Sequence, residues 1–162
     1  MKLCVVAVGN KMPAWVDAAC RDYLKRMPRA VKLIEIKPVK RETGKGAAQV
    51  LALEQERILA ALPKDCDRVV LDERGESWST ATLARRLSVW KERGVNVAFI
   101  IGGADGLSPE LKRSAAKVLA LSPLTLPHAL SRVVIIEQLY RAFSILDNHP
   151  YHRAACRTNL TL

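Results

Sequence analysis

Long apolar runs are missing from this sequence of 162 residues. A transmembrane helix needs roughly 20 consecutive apolar residues, and no stretch approaches that length. The N-terminal MKLCVVAVGNKMPAW carries only a short apolar run before Asn10 and Lys11. A secretory signal peptide needs a longer run and a small-residue cleavage site. We therefore interpret residues 2–8 as the first strand of a cytoplasmic protein.

Paired cysteine motifs are also missing. The four cysteines are Cys4, Cys20, Cys66 and Cys156. No two of them form a C-x-x-C arrangement, which excludes zinc-ribbon and thioredoxin-like sites. In a reducing compartment we expect the first three to be core thiols, and the fourth lies in the C-terminal tail.

Metal-binding clusters and the common nucleotide-binding glycine motifs are missing too. His149 and His152 are separated by Pro150, which spoils a helical ligand pair, and no other ligand cluster accompanies them. We therefore predict no metal site. The glycines at 44–46 lack the rest of a P-loop, and those at 102–106 do not form the dinucleotide-binding pattern G-x-G-x-x-G.

Positive charge, by contrast, is present in excess. The chain has 26 Lys and Arg against 16 Asp and Glu, a net charge of +10. Residues 1–46 hold 11 of the cations and only 4 of the acids. A lopsided basic charge favours a polyanionic partner such as nucleic acid, although a merely soluble basic surface is the alternative.

Short Val- and Ile-rich runs alternate with helical patterns along the chain. The predicted strands cover residues 2–8, 31–36, 67–72, 95–103 and 117–122, and the predicted helices begin near Pro13 or cover 47–62, 80–93 and 131–146. This alternation predicts an α/β fold with a mainly parallel sheet flanked by helices. The length favours one domain, and no internal repeat or interdomain linker interrupts it.

The connection KPVKRETGKGA, residues 37–47, is the most basic loop. It carries Lys37, Lys40, Arg41 and Lys45. Such a loop is either a solvated surface segment or a phosphate-contacting segment that follows a nucleic-acid backbone.

The clearest candidate site begins at FIIGGADGLSPELKR, residues 99–113. A buried strand runs into Gly102 and Gly103, and Ser108 is placed to cap a helix that starts at Pro109. Glycines at the carboxyl end of a parallel strand let a ligand approach the backbone. A tight turn without a ligand is the alternative.

The stretch LALSPLTLPHALSR, residues 119–132, is apolar but interrupted by Pro123 and Pro127. Leu124 and Leu126 would form an apolar wall, while the prolines would hold the backbone in shape before a ligand binds. These features suit a flat heteroaromatic group that is bound through backbone hydrogen bonds.

The last predicted helix, residues 131–146, is apolar on nearly all sides. Glu137 and Arg141 are four residues apart and are expected to pair. Since one sheet covers only one side of a helix, we expect a second subunit to cover another. In the tail, Tyr151, His152 and Arg153 offer a stacking ring, an imidazole and a phosphate-binding guanidinium, a combination that suits RNA contact.

Four stretches together resemble one family. They are VVAVGNKMPAW, IIGGADGLSPE, LALSPLTLPHALSR and EQLYRAFSILDNHPYHR. The chain is similar over residues 1–153 to the SPOUT-class ribosomal RNA large subunit methyltransferase H family. Members usually stop near HPYHR, so we expect residues 1–153 to form the methyltransferase domain and residues 154–162 to be a flexible C-terminal extension.

The resemblance implies a fold with a C-terminal trefoil knot, a rare exception to unknotted topology. It also implies a cytoplasmic homodimer that uses S-adenosylmethionine. The implied substrate is N3 of a pseudouridine in helix 69 of 23S rRNA, within the assembled 70S ribosome. Two alternatives stay open, namely a non-catalytic RNA-binding ribosome assembly factor and a tRNA methyltransferase of the same fold.

The resemblance also implies where the cofactor contacts lie. These are Leu71, Gly103, Ser122, Pro123, Leu124, Thr125, Leu126 and Pro127. By chemical type, His152 is the candidate general base and Arg153 the candidate group that stabilises charge on the base. We predict Tyr151, Arg132, Lys40 and Arg41 as substrate-binding residues.

Overall fold

The computed structural model describes residues 1–27 and 30–153, so the predicted extension at 154–162 and Cys156 lie outside the described residues. The strands are β1 (Leu3–Val8), β2 (Val31–Ile36), β3 (Cys66–Ser77), β4 (Asn96–Ile101) and β5 (Lys117–Ala120). The helices are α1 (Ala14–Arg26), α2 (Ala47–Ala61), α3 (Thr80–Glu92), α4 (Pro109–Arg113) and α5 (His128–Leu146).

The five strands form one sheet in the order β2-β1-β4-β3-β5, and every neighbouring pair is parallel. The predicted α/β fold with a parallel sheet is confirmed. All six residues of β1 are buried, as are the last five of β4. Strands that are covered on both faces need no alternation of apolar and polar residues, which explains their continuous apolar sequences.

Helices cover both faces of the sheet and create two separate cores. Val5 and Ala7 of β1 face α1, α3 and α5 in the larger core. Val6 and Val8 face the opposite way, into a smaller core with α2 and α4. Successive side chains of a strand point to opposite faces, so one strand contributes to both cores.

Helix α5 lies between α1 and α3 and packs against both. Ile135, Ile136 and Leu139 are fully buried there. The expectation of a second subunit on α5 rests on the assumption that only the sheet of the same chain covers this helix, and the structure corrects that assumption. Two helices of the same chain cover its flanks, which accounts for most of its apolar circumference.

The ends of several elements follow local rules that the sequence shows. Ser108 accepts a hydrogen bond from the Leu111 backbone N–H at 3.1 Å, and Pro109 is the first residue of α4. Both features were predicted. The predicted start of α5 at Ser131 is three residues late, because Pro127 occupies the N-cap position and the helix begins directly after it.

Candidate active site

A cavity of about 580 Å³ lies at the carboxyl edge of the sheet. Leu71 of β3, the Gly102–Gly103 turn after β4 and the loop after β5 all line it. The carboxyl ends of three neighbouring parallel strands therefore meet at one concave site, as is typical of ligand sites in open α/β sheets.

One wall of the cavity comes from an irregularity in β3. Leu71 and Glu76 both pair with Leu119, so residues 72–75 leave the regular ladder between them. A Cβ atom at Gly75 would lie only 2.6 Å from the Leu119 carbonyl carbon, so this position requires glycine. The excursion brings Asp72, Glu73 and Arg74 to the cavity. The predicted strand ends at residue 72, so the sequence pattern does not indicate that these three residues line a site.

The glycine turn after β4 is held by close backbone contact. The Gly106 N–H donates to the Gly103 carbonyl at 3.0 Å. A Cβ atom at Gly102 would lie 2.4 Å from the Gly106 carbonyl oxygen, closer than real Cβ atoms come to other heavy atoms. The turn therefore depends on the missing side chain at Gly102, and the predicted approach of a ligand to this backbone stays a prediction.

The proline-containing loop, residues 122–127, forms the opposite wall. Four of its residues line the cavity, namely Ser122, Leu124, Thr125 and Leu126. The Ser122 hydroxyl accepts from the Leu124 backbone N–H at 2.9 Å, and the Thr125 hydroxyl donates to Glu73 at 3.1 Å. The second bond joins this loop to the excursion of β3, across the mouth of the cavity.

Charges of both signs lie around the cavity. Asp72 and Lys112 form an ion pair at 2.5 Å. Burial acts to raise the pKa of Asp72, but hydrogen bonds from Lys112 and from the Arg74 backbone N–H together outweigh it and lower that pKa. Asp72 is thus a stable carboxylate beside an ammonium group, and neither residue was predicted from the sequence.

His128 also lines the cavity and was not singled out from the sequence. Its Nδ1 lies 2.8 Å from the Gly102 carbonyl oxygen, and its Nε2 lies 3.1 Å from Nη2 of Arg132. Burial lowers the pKa of His128, and the positive charge of Arg132 lowers it further. The Gly102 hydrogen bond opposes that decrease without cancelling it.

Arg132, predicted as a substrate contact, is only 1% exposed. It donates to Glu35 at 2.5 Å and to the Gly9 carbonyl at 2.9 Å. The structure therefore places this guanidinium behind the cavity wall rather than on an accessible surface.

The predicted catalytic tail does not line the cavity of its own chain but packs against the C-terminal half of α5. The Tyr151 ring packs against Tyr140 with centroids 4.5 Å apart, and its hydroxyl donates to Glu137 at 3.1 Å. Burial is the main reason that the pKa of Tyr151 is raised. Glu137 is nine residues along α5 from His128, roughly 13 Å at the rise of an α-helix.

His152 and Arg153 follow Tyr151 in the tail. His152 is partly buried, and its Nδ1 has no hydrogen-bond partner among the described residues. Arg153 is exposed. The structure thus does not bring Tyr151, His152 and Arg153 together with the cavity of the same chain. The predicted Glu137–Arg141 pair is confirmed, with bonds of 2.7 and 2.9 Å.

The basic loop, by contrast, reaches the edge of the cavity. Arg41 forms an ion pair with Asp105 of the glycine turn, and the Val39 N–H donates to the buried Glu54 at 3.1 Å. Lys40, which lies between Val39 and Arg41 in the sequence, is exposed. Two predicted substrate-binding residues therefore lie on a segment that is joined to the cavity turn.

Within residues 1–27 and 30–153, no helix is both long enough and apolar enough to cross a membrane. The same part of the chain holds no group of three His, Cys, Asp or Glu residues that could bind a metal ion.

The fold and the edge site agree with a known class of protein. The family model described as "Predicted SPOUT methyltransferase" matches residues 1–152. The chain belongs to the SPOUT methyltransferase family, and the C-terminal trefoil knot expected from the resemblance is consistent with this membership.

Curated relatives narrow the family further. The chain is 54% identical over 156 residues to a Nitrosospira multiformis protein named "Ribosomal RNA large subunit methyltransferase H", with 95% of this chain and 100% of that protein covered. A Burkholderia ambifaria protein of the same name is 53% identical over the same shares. The chain is thus a member of the family to which these proteins belong, as the quoted stretches indicated.

Solved structures share the fold at low identity. A probable methylase family protein from Haemophilus influenzae has a TM-score of 0.57 and 17% identity, covering 96% of this chain and 72% of that one. A putative RNA methyltransferase from Bacillus anthracis has a TM-score of 0.55 and 16% identity, covering 94% and 98%. At these identities the likeness supports the fold alone.

We expect Gly102→Ala to destabilise the protein by about 1–3 kcal/mol, because the added methyl group would clash with the Gly106 backbone. Gly46→Ala is the control, since a Cβ atom there meets nothing within 4 Å, and its effect should stay within about 0.5 kcal/mol. Urea denaturation measures both values. Equal free energies of unfolding for the two variants would contradict the close contact.

The lowered pKa of His128 makes stability depend on pH. Below the ordinary histidine pKa of about 6.5, the unfolded chain binds a proton that the folded chain resists, so stability falls as the pH falls. His128→Asn lacks this group. The free energy of unfolding of the wild type, minus that of the variant, should therefore decrease between about pH 7.5 and pH 5.5 in urea titrations. A constant difference would contradict the assignment.

Proposed function

We propose that the protein transfers a methyl group from S-adenosylmethionine to N3 of a pseudouridine in helix 69 of 23S rRNA. The proposed substrate is the assembled 70S ribosome, and the proposed location is the cytoplasm. The observation that carries this proposal is the single cavity on which Leu71, Gly103 and the 122–127 loop converge. The near full-length identity to proteins named ribosomal RNA large subunit methyltransferase H supports the substrate class.

The cavity fits S-adenosylmethionine in size and chemistry. Leu71, Leu121 and Leu126 provide apolar surface for a flat heteroaromatic ring, and the glycine turn leaves the backbone accessible. Carboxylates and cations on the rim match a ligand that carries charges of both signs. We propose that Leu71, Gly103 and residues 122–127 hold it, although Pro123 and Pro127 stiffen the loop rather than line the cavity.

S-adenosylmethionine, when bound, supplies a methyl group that is already activated on a sulfonium ion. The chain therefore needs no nucleophile of its own and, as we propose, no metal ion. Its residues have to hold the acceptor nitrogen in line and remove the imide proton from N3. We propose that His152 accepts this proton, that Arg153 stabilises the charge left on the base and that Tyr151 contributes to RNA contact.

The distance along α5 between Glu137 and His128 supports a homodimer with a shared site. A tail that packs at Glu137 lies roughly 13 Å along the helix from the cavity of its own chain. We propose that it instead serves the cavity of a second subunit. Leu130, 36% exposed, and the partly buried Val134 offer apolar surface on α5 for such contact.

RNA binding is assigned to the basic N-terminal part of the chain. Lys40 and Arg41 are exposed on a loop that contacts the cavity turn through Asp105, so phosphates bound there would lie near the cofactor site. Arg132 has its guanidinium enclosed, and we assign it no RNA contact in this proposal. We also propose that residues 1–153 act as one domain.

The proposal is tested by transfer of labelled methyl groups from S-adenosylmethionine to 70S ribosomes, free 23S rRNA and tRNA. We expect incorporation into 23S rRNA of 70S particles only, as 3-methylpseudouridine identified by mass spectrometry of nucleosides. Incorporation into tRNA would support the tRNA methyltransferase alternative. Binding of ribosomes without incorporation would support a non-catalytic assembly factor.

We expect His152→Ala and Arg153→Ala to lower kcat by about 100-fold or more, because each removes a group proposed to act on the target base. Affinity for S-adenosylmethionine should stay nearly unchanged, since both proposed roles concern the target base and not the methyl donor. Arg93→Ala, at an exposed arginine that ends α3, is the matched control. Wild-type turnover in both tail variants would overturn their catalytic assignment.

A further inference from the structure

A series of polar contacts starts at the cavity, passes through the buried Arg132 and ends at the partly exposed Glu35 of β2. The Gly102 carbonyl contacts His128, His128 contacts Arg132, and Arg132 contacts Glu35. Within this series Arg132 is 1% exposed, whereas the side chain of Glu35 is 39% exposed. None of the functions proposed above uses these contacts.

Donor and acceptor chemistry fixes the state of His128. A carbonyl oxygen only accepts hydrogen bonds, so Nδ1, at 2.8 Å from the Gly102 oxygen, must hold the proton. A guanidinium group only donates, so Nε2, at 3.1 Å from Arg132, must accept. The imidazole is therefore neutral with both nitrogens occupied, which suits holding two groups in place rather than transferring a proton.

Arg132 connects this imidazole to two other elements. Its Nη2 also donates to the Gly9 carbonyl at 2.9 Å, just after β1, and its Nη1 donates to Glu35 of β2. A buried guanidinium is tolerated when its charge is matched, as it is here by Glu35. Both terminal nitrogens have acceptors, whereas the buried Nε has no hydrogen-bond partner among the described residues. The position of His128 is thus fixed by β1, β2 and α5 together.

The bond to Gly102 orients the peptide that joins Gly102 to Gly103. This peptide is trans and planar, so its N–H points opposite to its carbonyl. When His128 fixes the direction of the Gly102 carbonyl, it also fixes the direction of the Gly103 N–H. Gly103 lines the cavity.

We infer that His128, supported by Arg132, is a positioning residue that orients the Gly102–Gly103 peptide for binding of the methyl donor. The inference rests on the proposed function, because it concerns the cofactor cavity named there. His128 acts through the backbone of the glycine turn, and Arg132 acts through His128.

Three substitutions at one position separate the two bonds. His128→Asn places an amide N–H where Nδ1 stood and so keeps the Gly102 bond, but it lacks an acceptor at the position of Nε2. His128→Gln extends its amide to the position of Nε2 and loses the Gly102 bond. His128→Ala loses both. The asparagine variant is therefore the conservative rescue, and the glutamine variant is its matched control.

The test measures binding of S-adenosylmethionine and of S-adenosylhomocysteine by isothermal titration calorimetry, without ribosomes. We expect His128→Gln and His128→Ala to weaken affinity about tenfold, the size of one lost hydrogen bond of the stronger kind, and His128→Asn to stay within about threefold. In methyl transfer, the KM for the donor should rise in the same order, while the KM for ribosomes stays unchanged. Thermal denaturation checks that each variant is folded.

The outcomes separate this inference from the proposed function. If the wild type binds neither compound, the proposed function fails. If the wild type binds and the folded asparagine and glutamine variants have equal affinities, the positioning role is overturned. Should the alanine variant fail to fold, the comparison of asparagine with glutamine still decides, because each keeps one of the two bonds.

Discussion

Close approach of backbone to backbone at the carboxyl edge of the sheet is the constraint on which the site depends. Gly75 lies against the Leu119 backbone and Gly102 against the Gly106 backbone, and neither place has room for a methyl group. The first contact lets β3 leave its ladder and return, which brings residues 72–74 to the cavity. The second folds the turn after β4 tightly enough for Gly103 to line the same space. The shape of the cavity therefore depends on the absence of a side chain at these two glycines.

Polar contacts then connect the elements around the cavity. Thr125 bonds to Glu73 across the mouth, Lys112 pairs with Asp72, and Arg41 pairs with Asp105. The carboxylates of the two ion pairs are only 15% and 24% exposed. These contacts therefore hold the elements around the cavity in fixed relative positions. Behind the wall, the buried contacts of His128 give a rigid support to the glycine turn. The His128 contacts thus support the glycine turn from behind, while the polar side chains around the opening remain able to contact a ligand.

Local patterns were sufficient for the strands and most helices. The apolar run VAFII predicted a fully buried parallel strand because only the apolar content, and not its partners, had to be known. The excursion at residues 72–75 could not be predicted, since it depends on pairing with Leu119, which lies more than 40 residues away. The burial of Arg132 and the packing of Tyr151 on α5 likewise depend on tertiary contacts, so residue type and spacing could not predict them. The cavity loops were predicted because proline restricts the backbone locally and glycine permits close approach and unusual backbone angles.

Because of the strand order, the excess of positive charge in the N-terminal part of the sequence lies at one end of the sheet. The segment with the excess of lysine and arginine contains β1, α1, β2 and the basic loop, and these strands form one end of the sheet. This end of the sheet therefore carries most of the positive excess, and such an asymmetry favours an electric dipole directed from β5 toward β2. A polyanion would exert a torque on such a dipole before any contact forms, which would turn the basic end toward it. Added salt shortens the range of this torque, and at about 0.15 M it acts only within the last 8 Å or so.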